Sequence, residues 1–284
     1  MRAYVRPVPS TLSQSMHRMA AAIERHAPAG VVFTRRPEDA DLQAVHVIGA
    51  DSLQTLRAPR CVILQHCYLS AGAPREFWAQ AFAGAELVWS HYDLSSIAPR
   101  FLRAPLGVDP GVFRWEDRSW YERTLGIVTS GFVSGAPAEA IEDAALACAR
   151  IGLPTAHLGP QDVVGMKSRP SGWRAHHGIS DEDLCRLYGR ARWVSGLRYV
   201  EGFELPVIEG FACGARPIVF DRPDMRHWYN DFASFVPECS GEELVSHLCA
   251  VMGRARPVTQ TERDAVLARF DWGTLAREFW GRLL

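Results

Sequence analysis

Glu201-Gly202-Phe203-Glu204-Leu205-Pro206-Val207-Ile208-Glu209-Gly210 places two carboxylates, Glu201 and Glu209, on either side of a loop-to-helix junction. Pro206 suits the first helical position, and the apolar run that follows stops at Cys213-Gly214. One Glu therefore falls in the loop and the other on the first turns of the helix. Arg216-Pro217-Ile218-Val219-Phe220 reads as a short buried strand, which completes a loop, helix, strand unit. The free N–H groups of Gly202 to Leu205 stand beside the positive end of that helix, an arrangement that suits a phosphate. Elsewhere two such carboxylates are a solvated loop side chain and a helix N-terminal stabiliser. The flanking Gly-Phe and Leu-Pro favour the functional reading over that one.

Working outward, strand and helix signals alternate, the pattern of a parallel sheet covered on both faces. Candidate strands are Ala3-Tyr4-Val5, Val31-Val32-Phe33, Val45-His46-Val47-Ile48, Cys61-Val62-Ile63-Leu64 and Glu86-Leu87-Val88-Trp89. Ser13 to His26 puts Met16, Met19, Ala20 and Ile23 on one helical face, and a second helix is expected from Glu76 to Ala83. Arg100 to Arg123, rich in Arg, Pro and aromatics, reads as a linker. A second set opens at Leu125-Gly126-Ile127-Val128, continues with a helix from Ala138 to Ile151 and ends in the motif unit. There is no internal repeat.

At 284 residues the chain can hold two small domains, each able to bury a core. A hydrophobic content of 48% and a formal charge of −1 describe a soluble globular protein. No apolar run is long enough to span a bilayer, and the N-terminus lacks the apolar core of a signal peptide, so a cytoplasmic location is expected. Seven cysteines without a C-x-x-C pair argue for reduced thiols and against a disulfide frame or zinc site. The basic residues are 30 Arg and one Lys, Lys167, a composition of a GC-rich genome rather than of a nucleic-acid binder.

The motif, together with Ile179-Ser180-Asp181-Glu182-Asp183-Leu184-Cys185-Arg186-Leu187-Tyr188 and Ala191-Arg192-Trp193-Val194 upstream of it, resembles the donor-binding signature of glycosyltransferase family 4. Pro105-Leu106-Gly107-Val108-Asp109 with Phe113 is similar to the family's approach to its second domain, and Phe270-Asp271-Trp272 to its closing helix. The resemblance implies an α/β GT-B fold, two Rossmann-like domains whose parallel sheets face each other across a cleft. Residues 1–106 would form the acceptor-side domain and 107–284 the nucleotide-sugar-binding domain, with the terminal helix 271–284 crossing back to the first. It implies retaining transfer from a UDP- or GDP-sugar to an acceptor hydroxyl, with no cofactor beyond that co-substrate and no metal.

Carried over residue by residue, the resemblance puts Glu201 on the donor sugar and Glu209 on the nucleotide ribose. Gly202, Phe203 and Leu205 would lie along sugar and phosphates, with Glu204 where relatives often have a second glycine. Relatives also carry an Arg and a Lys after the first strand of the second domain; here that stretch, Thr129-Ser130-Gly131-Phe132-Val133-Ser134-Gly135, has no base. Either other cations serve, with Arg198 first and Lys167 or Arg169 second, or donor activation is impaired and the chain is a binding module that has lost catalysis.

His66, after its apolar strand, stands where related enzymes place a polar residue near the reacting centre; a hydrogen-bonded structural His is the alternative, and the one favoured for His46. Ser90-His91-Tyr92 resembles another cleft-lining turn, and Pro9-Ser10-Thr11-Leu12-Ser13 replaces the Gly-rich turn of many first domains. The tract Val194 to Val200 and Asp221-Arg222-Pro223 are similar to those of small phage-encoded members, which in a host cytoplasm would make 5-hydroxymethylpyrimidine in DNA the first-ranked acceptor. Arg226 and Trp228, with Ser13 and His91, are then the candidate acceptor contacts, and the Arg and aromatic residues of 100–123 a candidate DNA surface. A cell-surface glycan, lipid or small molecule is the other acceptor class.

Overall fold

The computed structural model describes residues 1–9, 13–47, 50–56, 58–66, 68, 72–115, 118–131, 140–159, 166, 169–200 and 202–284. The chain divides into two compact units, Met1–Gly107 with Arg269–Leu284, and Val108–Ala268.

The first unit is built on β1 (Arg2–Val5), β2 (Val32–Phe33), β3 (Leu42–Val47), β4 (Arg60–Gln65), β5 (Leu87–Ser90) and β6 (Phe101–Arg103). They form one sheet in the order β2-β1-β3-β4-β5-β6, every pair parallel. Helix α1 (Gln14–Arg25) is capped by Ser13, whose hydroxyl accepts from the Met16 N–H at 3.4 Å, and it buries Met16, Met19, Ala20 and Ile23 as the periodicity predicts. Helix α2 (Arg75–Ala83) buries Trp78 and Phe82 against Val47, Ile63 and Val88 of the sheet.

The second unit contains β7 (Leu125–Ser130), α3 (Ile141–Arg150), β8 (Ala156–Leu158), β9 (Arg174–His176), α4 (Asp181–Arg190), β10 (Ala191–Gly196), α5 (Leu205–Ala212) and β11 (Arg216–Phe220). It continues with α6 (Pro223–Tyr229), β12 (Ser234–Val236), α7 (Gly241–Arg254) and α8 (Gln260–Leu267). Its sheet runs β12-β11-β10-β7-β8-β9, again all parallel. From β7 the chain proceeds outward through β8 and β9, then returns to β10 on the other side of β7. That is the doubly wound order, and the gap between β7 and β10 is its switch point, where ligands of such sheets bind at the carboxyl ends of the strands. The core packs Trp120, Ile127, Ala144, Trp193, Ile218, Phe220, Leu244 and Leu248.

Helix α9 (Trp272–Gly281), capped by Asp271, belongs to the first unit. Its Trp280 indole donates to the Ile23 carbonyl at 3.0 Å, Phe279 packs on Trp89 with ring centroids 5.4 Å apart, and Arg60 donates to the Leu283 carbonyl at 2.8 Å. A side chain at Gly107 would collide with the Trp272 ring at 2.5 Å, so the glycine lets α9 seat.

Two expectations change, two strands are new, and some expected residues fall outside the described ones. The stretch from Arg100 to Arg123 is not all linker, since β6 supplies the sixth strand of the first sheet. Strands β8 and β9, three residues each, carry no readable alternation. Pro206 is the second residue of α5 rather than the first, because Leu205 starts the helix and Glu204 takes the N-cap position. Ile48, Ala138 and the Phe132 to Gly135 tract lie outside the described residues.

Candidate functional site

The β7–β10 switch point is lined by the residues that end those strands. Ser130 closes β7; Arg198 follows β10 by two positions and sends its Nη2 to the Ser130 Oγ at 3.1 Å. The Arg198 Nε is 3.2 Å from Glu204 Oε2, and its backbone N–H donates to Glu204 Oε1 at 3.3 Å. Both side chains are buried, Arg198 at 8% and Glu204 at 1% exposure. An isolated charge at that depth costs several kcal/mol, so the two opposite charges offset each other, with the Arg198 backbone N–H bond to Glu204 Oε1 holding the carboxylate in place. Glu204 is itself fixed by the Tyr229 hydroxyl, which accepts from the Glu204 N–H at 2.7 Å and donates to its carbonyl at 3.3 Å.

The motif packs round this pair. Gly202, Phe203 and Leu205 are buried, Phe203 lying on Tyr229 at 5.4 Å and meeting Trp228 edge-on at 5.9 Å. Glu209, in the second turn of α5, is buried and accepts from the Tyr188 hydroxyl at 3.5 Å. Glu201 and Lys167 lie outside the described residues. Arg169 is exposed and sits over the Trp173 ring at 5.7 Å.

Next to Arg198 is a residue the sequence reading passes over. His157, in β8, hydrogen-bonds the Thr129 hydroxyl through Nδ1 at 3.0 Å and stacks on Trp173 at 5.5 Å. Burial first, and then the Arg198 charge, push it down to about 4, so the ring is neutral near neutral pH. Its buried Nε2 has no hydrogen-bond partner among the described residues. A side chain at Gly159 would fall 2.6 Å from the Gly131 carbonyl and 2.7 Å from that Nε2, so glycine is required where the ends of β7 and β8 converge. The one available signal was a His two residues before a Gly, inside a strand too short to recognise.

On the first unit, His66 follows β4 and His91 follows β5, and the structure joins them: Nδ1 to Nδ1 is 3.1 Å, with the rings stacked at 5.2 Å and 24°. One Nδ1 must carry a proton and the other a lone pair, which sets opposite tautomers. Burial, then Arg103, pushes His91 down to about 3; burial, then His91 and His46, holds His66 well below its ordinary value. Both are neutral, so His66 can act only as a neutral hydrogen-bonding group. His46, inside β3, is likewise pushed down to about 3 by burial and then by Arg6.

The remaining candidates are occupied within the fold. Ser13 caps α1. Arg226 makes a two-pronged ion pair with Asp221 at 2.5 and 2.8 Å and lies over Phe235. Within 100–123, Trp120 is core, Arg100 pairs with Glu86 at 2.9 Å, and buried Arg123 donates to the carbonyls of Tyr188, Ala191 and Cys213. Trp120 and Arg123 are thus taken out of the candidate surface, whereas Arg114, Arg118 and Tyr121 of the same stretch are exposed.

The fold is similar to that of sucrose-phosphate synthase from Thermosynechococcus elongatus, at 14% identity and a TM-score of 0.70, over 99% of this chain and 97% of that one. It is similar to Anabaena HepE in complex with UDP-glucose, at 13% identity and 0.71, over 99% and 98%. A glycosyltransferase from Rickettsia africae aligns at 11% identity and 0.65, over 98% and 96%. The class that the two sheets define is thus the GT-B fold of the glycosyltransferases. No protein-family model matches the sequence, and no curated protein matches it.

Proposed function

We propose that the protein is a retaining glycosyltransferase that moves a sugar from a nucleoside diphosphate to an acceptor hydroxyl. The observation that carries this reading is the junction of Ser130, Arg198 and the motif residues 202–209 at the switch point of a doubly wound sheet. HepE, similar in fold, was solved with UDP-glucose and with UDP, which makes UDP-sugars the first donors to try.

In this reading the Arg198 guanidinium stabilises the diphosphate as the bond from the anomeric carbon to the phosphate oxygen breaks and its electron pair moves to that oxygen. Glu204 holds the guanidinium in place. Glu209 takes the ribose and Glu201 the sugar, as the family resemblance implies. The acceptor oxygen bonds to the anomeric carbon on the face the leaving group vacates, and its proton passes to the departing phosphate.

For the acceptor we infer a glycan, lipid or small molecule rather than hydroxymethylpyrimidine in DNA. Arg123 and Trp120 are buried in the fold, Arg226 and Arg100 are paired with Asp221 and Glu86 at the surface, and a net charge of −1 gives little general attraction to phosphates.

The test is incubation with UDP- and GDP-sugars, an acceptor panel and hydroxymethylated DNA, reading released nucleoside diphosphate, product mass and anomeric configuration. Nucleotide binding without turnover on any acceptor would make the chain a binding module. An inverted product would overturn retention, and an adduct on the DNA would restore DNA as acceptor. At the donor site, Glu209→Gln is expected to weaken nucleotide binding while Glu201→Gln mainly lowers turnover; parental kinetics in both would refute the assignment.

A further inference from the structure

We infer that Cys239, Glu243 and His247 form a binding site for one zinc-class divalent cation on the second unit, independent of the glycosyl-transfer reading. Among the described residues they are the one group of three or more His, Cys, Asp or Glu whose ligand atoms all lie close together, within 4.8 Å of one another. Their spacing explains the convergence. Glu243 and His247 are one turn apart on α7 and share a face, and Cys239 reaches them from the non-helical segment just before the helix.

The donor set is a thiolate, a carboxylate and an imidazole, which together suit zinc rather than magnesium or calcium. In a tetrahedral site with bonds of about 2.0–2.3 Å the ligand atoms are about 3.3–3.8 Å apart, so side-chain rotation of roughly 1 Å closes the group and leaves the fourth position to water. The surroundings are electronegative. Asp143 accepts the Gly241 N–H at 2.9 Å beside the site, and burial, then Glu243 and Asp143, raise the Cys239 thiol. A cation reverses that penalty and favours the thiolate. Access is open, because His247 also lines a depression of about 290 Å³ with Phe235, Val236 and Val251.

The site is joined to the loop after β10. The Tyr199 hydroxyl donates to the Cys239 carbonyl at 3.0 Å, and Arg222 bridges Glu238, at 3.7 Å, to the carbonyls of Arg198 and Tyr199. A metal here braces the start of α7 against that loop. Absence of C-x-x-C spacing argued against zinc in the sequence; the ligands instead follow C-x-x-x-E-x-x-x-H, with the Glu and His on one helix face and the Cys on the segment that leads into it.

The experiment is titration of chelator-treated, reduced full-length protein with Co2+, followed by displacement with Zn2+. One equivalent of Co2+ should give a thiolate-to-metal charge-transfer band and intense tetrahedral visible bands that Zn2+ abolishes. Cys239→Ser should remove the charge-transfer band. His247→Ala should weaken binding by no less than the roughly 10- to 100-fold that even an outer-shell change costs. Cys61→Ser and Cys249→Ser should leave both readings unchanged. Circular dichroism checks that each variant is folded. No band at one equivalent, or a band that survives Cys239→Ser, overturns the site.

Discussion

Arg198 and Glu204 are six residues apart in sequence and share one buried ion pair, so each owes its place to the other. Glu204→Ala would remove the carboxylate 3.2 Å from a buried guanidinium and is expected to cost about 3–5 kcal/mol in urea unfolding. Replacing both with methionine should return most of that stability, because a buried pair and its apolar substitute are often of similar worth. The double variant should nevertheless lose turnover. Arg198→Ala, if the donor reading holds, should lose about 2–4 kcal/mol of transition-state stabilisation in kcat, the range for one electrostatic donor. The motif was legible as residues, and Arg198 as a cation; the partner of Glu204 was not, since nothing in a Glu at a glycine position names the arginine it neutralises. His157 was missed for a related reason: its setting depends on Thr129, Trp173 and Arg198, which only the folded sheet assembles.

The histidines give the protein a pH response. His46, His91 and His157 fold with values near 3 to 4 and unfold near 6.5, so below about pH 6.5 the unfolded chain takes up protons that the native one refuses. Stability should fall as pH drops from about 6.5 toward 4, each residue contributing at most about 1.4 kcal/mol per pH unit. Urea midpoints measured between about pH 7 and pH 5 should show this decline, and His46→Gln should flatten it; an unchanged midpoint would refute neutral burial.

At the scale of elements, the joint between β10 and α5 is set by two glycines. A side chain at Gly210 would meet Val194 at 2.7 Å, and one at Gly196 would meet Val219 at 2.6 Å and Val207 at 2.7 Å. Gly210→Ala is therefore expected to destabilise by about 1–3 kcal/mol despite the better helix propensity of alanine, because the neighbours belong to a packed core. Urea denaturation decides this; a gain in stability would mean the helix can move away. Elements with long apolar or periodic runs, such as β4, α1 and α5, were readable in the sequence. β6, β8 and β9 were not, because three-residue strands are recruited by the edge they join rather than by their own pattern.

Over the whole molecule, the first unit is assembled from two distant pieces, Met1–Gly107 and Arg269–Leu284, while the second is one continuous stretch. A fragment of residues 1–107 should bind a 269–284 peptide and gain cooperative unfolding from it, since α9 supplies Trp280 to α1 and Phe279 to β5. A fragment that unfolds equally cooperatively alone would contradict that account; calorimetry with and without the peptide distinguishes the two.

The same division imposes an order on biosynthesis. The ribosome makes the strands of the first sheet before the second unit, yet α9, which packs on them, only after it. Throughout elongation the earliest strands must wait with an apolar face exposed while the contiguous middle portion can already fold. That interval is when a nascent chain is open to chaperones, or to aggregation, and a pause or slow codons before position 269 would lengthen it.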